Sequence, residues 1–228
     1  YLRNPTMKNQ KKIEQIFELL FQYYGDQFWW PAKSTCEIFL GAILTQATTW
    51  KNAEKALSNL SQNCDLSIES IDNMSITFLE ETIRPSGYFR AKSRTIKQFI
   101  ELMKNLYGSD FDYMQSFETD LLRLKLLSID GIGEETADAM LLYGLNKPIF
   151  VIDNFTVRII SRIGLLSNDS SYSYFQRLFT QNLPQVTAAF QQFHALLVKH
   201  AQTRCLKTKP KCVNCCLKNI CTFGLKSN

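Results

Sequence analysis

The sequence has no uninterrupted apolar run of the ~20 residues that a membrane-spanning helix needs, so no transmembrane span is predicted. The N-terminus lacks the charged-then-apolar layout of a signal peptide, and a cytoplasmic location is therefore expected. Alternating strand patterns joined by hairpin turns are missing, as are internal repeats and low-complexity segments. These absences argue against membrane, all-β and repeat proteins.

The apolar content indicates a folded core. The chain has 228 residues, of which 45% are hydrophobic and 12% aromatic, enough for one large domain or two small ones. Apolar residues recur at helical spacing in two clear stripes: Ile13, Ile16, Phe17 and Leu20, then Ile96, Phe99, Ile100 and Met103. The pattern predicts an all-α protein of about ten short helices. The six residues YLRNPT before Met7 are predicted to be an added leader outside the fold.

The charge is unevenly distributed. The net charge is +5, yet residues 201–228 contain no acid and six basic residues: Arg204, Lys207, Lys209, Lys211, Lys218 and Lys226. A local basic patch favours a polyanionic partner, and nucleic acid is the commonest one.

The same segment holds five of the seven cysteines. Cys36 and Cys64 stand alone in apolar surroundings typical of buried thiols. The C-terminal group has the spacing Cys-x6-Cys-x2-Cys-x5-Cys, formed by Cys205, Cys212, Cys215 and Cys221, with Cys216 as an extra. Disulfides are not expected in a cytoplasmic chain, so the spacing predicts a metal site. By spacing alone, zinc and an iron–sulfur cluster are equally favoured.

Two further stretches are suggestive. In IDGIGEETADAM (129–140), Gly131 and Gly133 predict a tight turn that opens a helix and presents N–H groups to a phosphate, although ordinary helix ends look similar. In FVIDNFTVRI (150–159), Asp153 ends an apolar run and is most simply an N-cap. The two histidines, His194 and His200, are interpreted as structural.

The cysteine spacing, with Lys-Pro-Lys before its second cysteine, resembles the [4Fe–4S] loop of the endonuclease III (helix-hairpin-helix) superfamily of DNA glycosylases. The resemblance implies that Cys205, Cys212, Cys215 and Cys221 bind a [4Fe–4S] cluster, with zinc the less favoured metal. Cys216 falls outside the pattern. The loop lysines Lys207, Lys209 and Lys211 are then expected to approach the phosphates of double-stranded DNA.

The Gly-Ile-Gly stretch similarly resembles the superfamily's DNA-gripping hairpin, which implies backbone contacts from Gly131 and Gly133. Asp153 falls where the superfamily has its catalytic carboxylate. The implied architecture has two helical lobes. Residues 28–148 form a six-helix-type lobe with the hairpin, and residues 7–27 and 149–228 form a lobe with the cluster. Asp153 is expected at the cleft between them.

One position departs from the superfamily's bifunctional members. They carry a lysine early in the helix after the hairpin, which attacks C1′ of the sugar and forms a Schiff base. Here Glu135 occupies that position, and a carboxylate cannot form an imine. The resemblance therefore predicts a monofunctional glycosylase without AP lyase activity. The neighbouring Glu134 has no assigned role.

The pocket motifs FWWPAK (28–33), LTQATTW (44–50) and RPSGYFRAK (84–92) resemble those of the 3-methyladenine DNA glycosylases within the superfamily. The resemblance implies that Trp30, Pro31 and Trp50 form the base pocket, while Gln46 and Tyr88 fill the duplex. Gln46 and Trp50 are four residues apart and are predicted to share one helical face. A cationic alkylated purine would be favoured by electron-rich indoles.

The predicted function is base excision repair by a monomeric, monofunctional DNA N-glycosylase, with an alkylated purine such as 3-methyladenine as its substrate. Two alternatives remain. One is a bifunctional endonuclease III-type glycosylase and lyase, which Glu135 disfavours. The other is a non-catalytic, metal-stapled DNA-binding module, which would lack base release.

Overall fold

The computed structural model describes residues 5–30 and 32–227, and within these ranges the chain is helical without a β-strand, so the all-α prediction is confirmed. The α-helices are α1 (Pro5–Tyr24), α2 (Thr35–Leu44), α3 (Trp50–Asn63), α4 (Ile68–Asn73), α5 (Ile76–Thr82), α6 (Phe89–Tyr107), α7 (Phe111–Gln115), α8 (Thr119–Leu127), α9 (Glu134–Ala139), α10 (Asn154–Ile163), α11 (Tyr172–Thr180), α12 (Thr187–Thr203) and α13 (Thr222–Lys226). Short 3-10 turns lie at Arg84–Ser86 and Lys218–Ile220, and a π-helical turn follows α9 at Met140–Gly144.

The chain divides into two compact units. The central unit runs from Trp30 to Lys147. The terminal unit combines the chain up to Trp29 with the chain from Pro148 onward. Helix α1 begins at Pro5, ahead of Met7. In the part of the chain that is described, no helix combines the length and apolarity needed to cross a bilayer.

The central unit is built around α2, which is apolar on nearly every side and is packed by α3, α6 and the π-helical turn. The predicted stripe on α6 is fully buried, and its Phe99 stacks on Phe39 of α2 with ring centroids 5.1 Å apart. Each such side chain stabilises the fold by about 1.5–3 kcal/mol through burial. This core fixes the ends of α2 and α6, where several candidate site residues lie.

The terminal unit has an aromatic core. Phe150 stacks on Phe179 of α11 with centroids 3.9 Å apart, and Phe190 and Phe193 of α12 meet the Phe150 ring edge-on. The predicted α1 stripe packs on α12, with its Phe17 ring edge-on to Phe193. Because Phe150 is part of this core, the extended segment that leads to Asp153 is held firmly in place.

Candidate functional site

Asp153 is the N-cap of α10. Its Oδ1 accepts a hydrogen bond of 2.7 Å from the backbone N–H of Thr156, and the residue is only 8% exposed. The segment before it is buried, and the N–H of Ile152 donates to the Tyr172 hydroxyl at 3.2 Å. The simple N-cap interpretation is therefore correct for this side chain. A cap uses one carboxylate oxygen and leaves the other for a second role.

That second oxygen faces a histidine. Oδ2 of Asp153 lies 3.6 Å from Nε2 of His194 on α12, and the histidine is also buried. Burial by itself raises the pKa of Asp153, but His194 and the N–H of Thr156 outweigh it, so the pKa lies below its ordinary value. The carboxylate is thus held ionised despite its burial. His194, interpreted from the sequence as structural, is the main contact that offsets the effect of burial on this carboxylate.

Three aromatic rings cluster in the central unit. Trp30 meets Trp50 edge-on with ring centroids 5.4 Å apart, and Tyr143 contacts Trp30 at the same distance. Tyr143 did not emerge from the sequence, because its pairing with Trp30 joins distant segments. Two rings stacked on either side of a base would lie about 7 Å apart, twice the carbon–carbon contact distance. A base could therefore lie between the indoles only if one of them moved. Pro31 lies outside the described residues.

Gln46 and Trp50 do not share a helical face, so that prediction is wrong. Helix α2 ends at Leu44, and α3 begins at Trp50, after the Thr49 side chain accepts the N–H of Asn52 as its N-cap. Thr49 is a good N-cap residue and therefore starts a new helix between the two positions.

The amide of Gln46 is bound to the hairpin. Its Nε2 donates to the carbonyl oxygen of Gly131 and to the hydroxyl of Thr136, both at 2.8 Å. This side chain could enter a duplex only by giving up both of these hydrogen bonds.

The predicted hairpin connects α8 to α9. Gly131 has φ of +89°, and a Cβ there would lie 2.5 Å from the hydroxyl oxygen of Thr95, so only glycine fits. Gly133 is the N-cap residue of α9, and both glycines are exposed. The buried Ile132 anchors the turn between them. The structure therefore presents the backbone of this turn to solvent.

Tyr88 is an exposed aromatic on a strained backbone. Its side chain is 74% exposed, and its φ of 45° and ψ of 29° place it in the left-handed region. A non-glycine residue in that region costs roughly 1–2 kcal/mol. Strain of this kind concentrates where the backbone serves a function, so the tyrosine ring is a strong candidate for a role outside the fold.

The four cysteines at metal-ligand spacing line one small cavity in the terminal unit, together with His200 of α12 and Arg162 of α10. Within the described ranges, no three His, Cys, Asp or Glu side chains form a group that could hold a single metal ion.

Polar groups surround the cysteine sulfurs. Arg162 donates to Sγ of Cys205 at 3.2 Å and to the carbonyl of Leu206 at 2.8 Å. Nε2 of His200 lies 3.5 Å from Sγ of Cys215. Hydrogen bonds from Cys216 and then His200 lower the pKa of the Cys215 thiol, which favours the thiolate form that binds metals. Cys216, which the spacing left unassigned, thus contacts its neighbour's sulfur.

The exposed surface beside this loop is strongly basic. Lys207, Lys209 and Lys211 are all exposed. A broad groove next to them is lined by four cations and no acid: Arg158, Arg162, Lys207 and Lys226. A polyanion is the natural ligand of such a surface.

Comparison with known proteins identifies the family to which this chain belongs. The profile of the HhH-GPD superfamily base excision DNA repair proteins matches residues 40–185, which include Trp50, Tyr143, the hairpin and Asp153. The chain belongs to the HhH-GPD superfamily. As a member it is a DNA glycosylase of base excision repair, and the predicted resemblance is confirmed.

Individual HhH-GPD relatives extend along almost the whole chain. A Methanocaldococcus jannaschii protein named as a candidate DNA repair glycosylase is 39% identical, over 94% of this chain and 99% of its own. A trapped endonuclease III–DNA covalent intermediate has a TM-score of 0.82 at 19% identity, covering 95% and 97% of the two chains. A Helicobacter pylori 3-methyladenine DNA glycosylase bound to 1,N6-ethenoadenine has a TM-score of 0.70 at 23% identity, covering 86% and 97%. The two solved structures show that the HhH-GPD fold is shared.

The acids of the HhH-GPD hairpin are partly neutralised. Arg123 of α8 forms ion pairs with Glu134 at 3.2 Å and with the fully buried Asp138 at 2.6 Å. Glu134, for which the sequence offered no role, therefore shares an arginine that the buried aspartate requires. Glu135, which is predicted to replace the lysine of bifunctional members, is exposed.

Two substitutions separate the strain at Tyr88 from the use of its ring. Tyr88→Gly is expected to raise the free energy of unfolding by about 1 kcal/mol, because glycine adopts the left-handed backbone freely. Tyr88→Ala keeps the strain and is expected to leave stability nearly unchanged. Both variants should lose activity on fully paired damaged DNA. Urea unfolding and base-release assays test this, with Tyr113→Ala as the control at another exposed tyrosine. If the glycine and alanine variants had the same free energy of unfolding, the claim that the backbone at Tyr88 is strained would be contradicted.

Proposed function

We propose that the protein is a monofunctional DNA N-glycosylase that hydrolyses the N-glycosidic bond of an everted alkylated purine and leaves an abasic site. The observation that carries the proposal is the buried carboxylate of Asp153, with one oxygen on the helix cap and the other 3.6 Å from His194. Cleavage of the C1′–N bond builds positive charge on the deoxyribose, and a fixed carboxylate stabilises it.

The reaction balances with water alone. The electrons of the C1′–N bond leave with the base, water forms a bond from its oxygen to C1′, and Asp153 accepts or orients the proton that water loses. A cationic N3-alkylated purine departs as a neutral base, so no general acid is needed for its departure. Glu135 supports the hydrolytic route, because no amine is available at its position to attack C1′.

The aromatic cluster supports the choice of base. We propose that Trp30 and Trp50, backed by Tyr143, form the pocket wall, and that one indole moves as the base enters. A cation over an indole face gains about 0.5–2 kcal/mol, which favours a charged alkylated purine over a neutral normal base. Pro31 is proposed to complete this pocket, and Gln46 and Tyr88 to occupy the space that the base vacates.

The cysteine loop is proposed to hold a [4Fe–4S] cluster through Cys205, Cys212, Cys215 and Cys221. The support is the chemistry of the donor set, because four thiols line one cavity and Arg162 and His200 lie within hydrogen-bonding distance of two of the sulfurs. The described side chains would have to draw together to hold the cluster, since no three of them form a group that could hold a single metal ion. When bound, the cluster supplies structural cross-linking and no step of the hydrolysis. Lys207, Lys209 and Lys211 would then meet the phosphates of double-stranded DNA, as would the turn at Gly131 and Gly133.

A second candidate is a bifunctional glycosylase and AP lyase. It is favoured by the trapped covalent endonuclease III complex, whose fold this chain shares. The fold does not carry the chemistry, however, and the lysine that such a mechanism requires is replaced here by Glu135.

One assay separates the candidates. The protein is incubated with duplexes that contain 3-methyladenine, uracil, an oxidised pyrimidine or an A·G mismatch, and free base and strand breaks are measured separately. The proposal expects release of 3-methyladenine, with strand breaks only after alkali. A covalent adduct trapped by borohydride would establish the lyase instead, and binding without release of any base would establish a DNA-binding module.

A further inference from the structure

Lys92 of α6 is a buried cation in the central unit. The residue is 3% exposed, and its Nζ donates to two backbone carbonyls, those of Leu44 at 2.8 Å and Ser86 at 2.7 Å. Burial lowers the pKa of Lys92 to about 8. A buried amine is costly to the fold unless its hydrogen bonds are satisfied. Such a group marks a position where a particular arrangement of the backbone is being held.

The two carbonyls belong to the segments that carry the duplex-filling candidates. Leu44 is the last residue of α2, and Gln46 follows two positions later. Ser86 ends the 3-10 turn at Arg84–Ser86, and Tyr88 follows two positions later. The Lys92 amine therefore lies between these two segments and fixes the distance between them.

Gln46 and Tyr88 themselves lie between helices, the first between α2 and α3 and the second between the 3-10 turn and α6. Ala47, which follows Gln46, has φ of 50°, and Tyr88 itself has φ of 45°. Each segment therefore contains a residue in the left-handed region. Such a backbone keeps its conformation only where surrounding contacts over-determine it. The bonds to Lys92 are contacts of that kind, and they act on both segments at once.

We propose that Lys92 is a positioning residue that locks the Gln46 segment and the Tyr88 segment to one another, so that both side chains enter the duplex together. The proposal rests on the proposed function, in which these side chains replace an everted base. Eversion costs a few kcal/mol of stacking and pairing, and the cost is greatest for a well-paired base. A loosened pair of segments should therefore fail on paired lesions before it fails on unpaired ones.

The same helix offers a matched control. Nζ of Lys97 donates to three backbone carbonyls at the end of α4, those of Ile71, Asp72 and Met74, at 2.6–2.8 Å. Lys97→Met thus removes the same kind of ammonium–carbonyl contact from α6, but away from Gln46 and Tyr88. Lys92→Met and Lys97→Met should lose comparable stability, while only the first should alter how the protein opens DNA.

The test compares single-turnover base release from two duplexes at a temperature where circular dichroism shows every variant folded. One duplex carries 3-methyladenine opposite thymine, and the other carries it opposite an abasic analogue. Lys92→Met is expected to slow release from the paired duplex about tenfold or more, since small misplacements have effects of this size. Release from the unpaired duplex should change by less than about threefold, and Lys97→Met should affect both duplexes equally.

A binding readout keeps the proposal independent of chemistry. In a duplex with 2-aminopurine at the lesion position, the fluorescence of that base increases when it is everted. Lys92→Met should reduce this increase in fluorescence, and Lys97→Met should not. If wild type releases no base, the proposed function fails, yet this readout still decides on Lys92. If Lys92→Met does not fold, Lys92→Gln replaces it in both assays. Equal behaviour of the Lys92 and Lys97 variants on paired and unpaired DNA would overturn the inference.

Discussion

Asp153→Asn is expected to lower the rate of base release by roughly 10³-fold or more, within the range found when a charge-stabilising or proton-accepting group is removed. DNA affinity should remain within about twofold, because phosphate contacts supply most of it. Asparagine is as good an N-cap as aspartate, so the bond to the Thr156 N–H is preserved and the fold should be intact. The substitution therefore removes the charge and little else. Single-turnover release and a binding titration on the same duplex measure the two effects.

Asp153→Ala is the control for the cap. It removes both the charge and the N-cap and should cost about 1 kcal/mol of stability in addition to the activity. An asparagine variant that retained more than about a tenth of the wild-type rate would remove Asp153 from the chemistry. Loss of DNA binding in that variant would instead point to a misfolded α10.

The pH dependence of the same reaction tests His194. Because the folded pKa of Asp153 lies below its unfolded value, its stabilising contribution is present above the unfolded pKa and is lost as pH falls through the folded pKa. His194→Phe leaves burial as the main influence, so the pKa of Asp153 should rise. The acid limb of the activity profile should then move to higher pH, while an unmoved limb would assign His194 to packing alone.

Cys212→Ala should remove the broad visible absorbance of an iron–sulfur cluster and much of the DNA affinity. Without this proposed ligand the loop would lose the metal cross-link that is proposed to hold its lysines outward. If Lys207, Lys209 and Lys211 each contact a phosphate, the slope of log affinity against log salt should fall by about 2–3, at roughly 0.9 per phosphate. Visible spectra, iron content and binding titrations at several salt concentrations measure these effects.

Cys216→Ser is the matched control, since it adjoins Cys215 but falls outside the ligand spacing. It should keep the absorbance, the iron and the salt slope. Loss of iron from this variant, or its retention in Cys212→Ala, would show that the ligand set is assigned wrongly. Zinc in place of iron in the purified wild-type protein would replace the cluster by a zinc site and leave the role of the loop unchanged.

Sequence patterns were sufficient for what depends on neighbouring residues. The helical stripes on α1 and α6, the turn at Gly131 and the cap at Asp153 are all local, and each lies where its pattern predicts. The all-α class and the superfamily follow from many such local signals in the right order.

What the sequence could not predict is how distant side chains pair. His194 contacts Asp153 because α12 packs on α10, and no pattern of residue spacing in the sequence predicts that contact. Lys92 looks like any exposed lysine of a helix until its two carbonyl partners are known. The single helix predicted across Gln46 and Trp50 was wrong because a threonine cap outweighs a favourable spacing.

Helix α10 carries Asp153 at its first end and Arg162, which binds the cysteine loop, near its last. Its ten residues form a rod about 15 Å long. We expect a movement of the cysteine loop to be passed along this rod to the end that holds the carboxylate. If the loop holds the proposed [4Fe–4S] cluster, depletion of iron should therefore slow base release as well as weaken DNA binding.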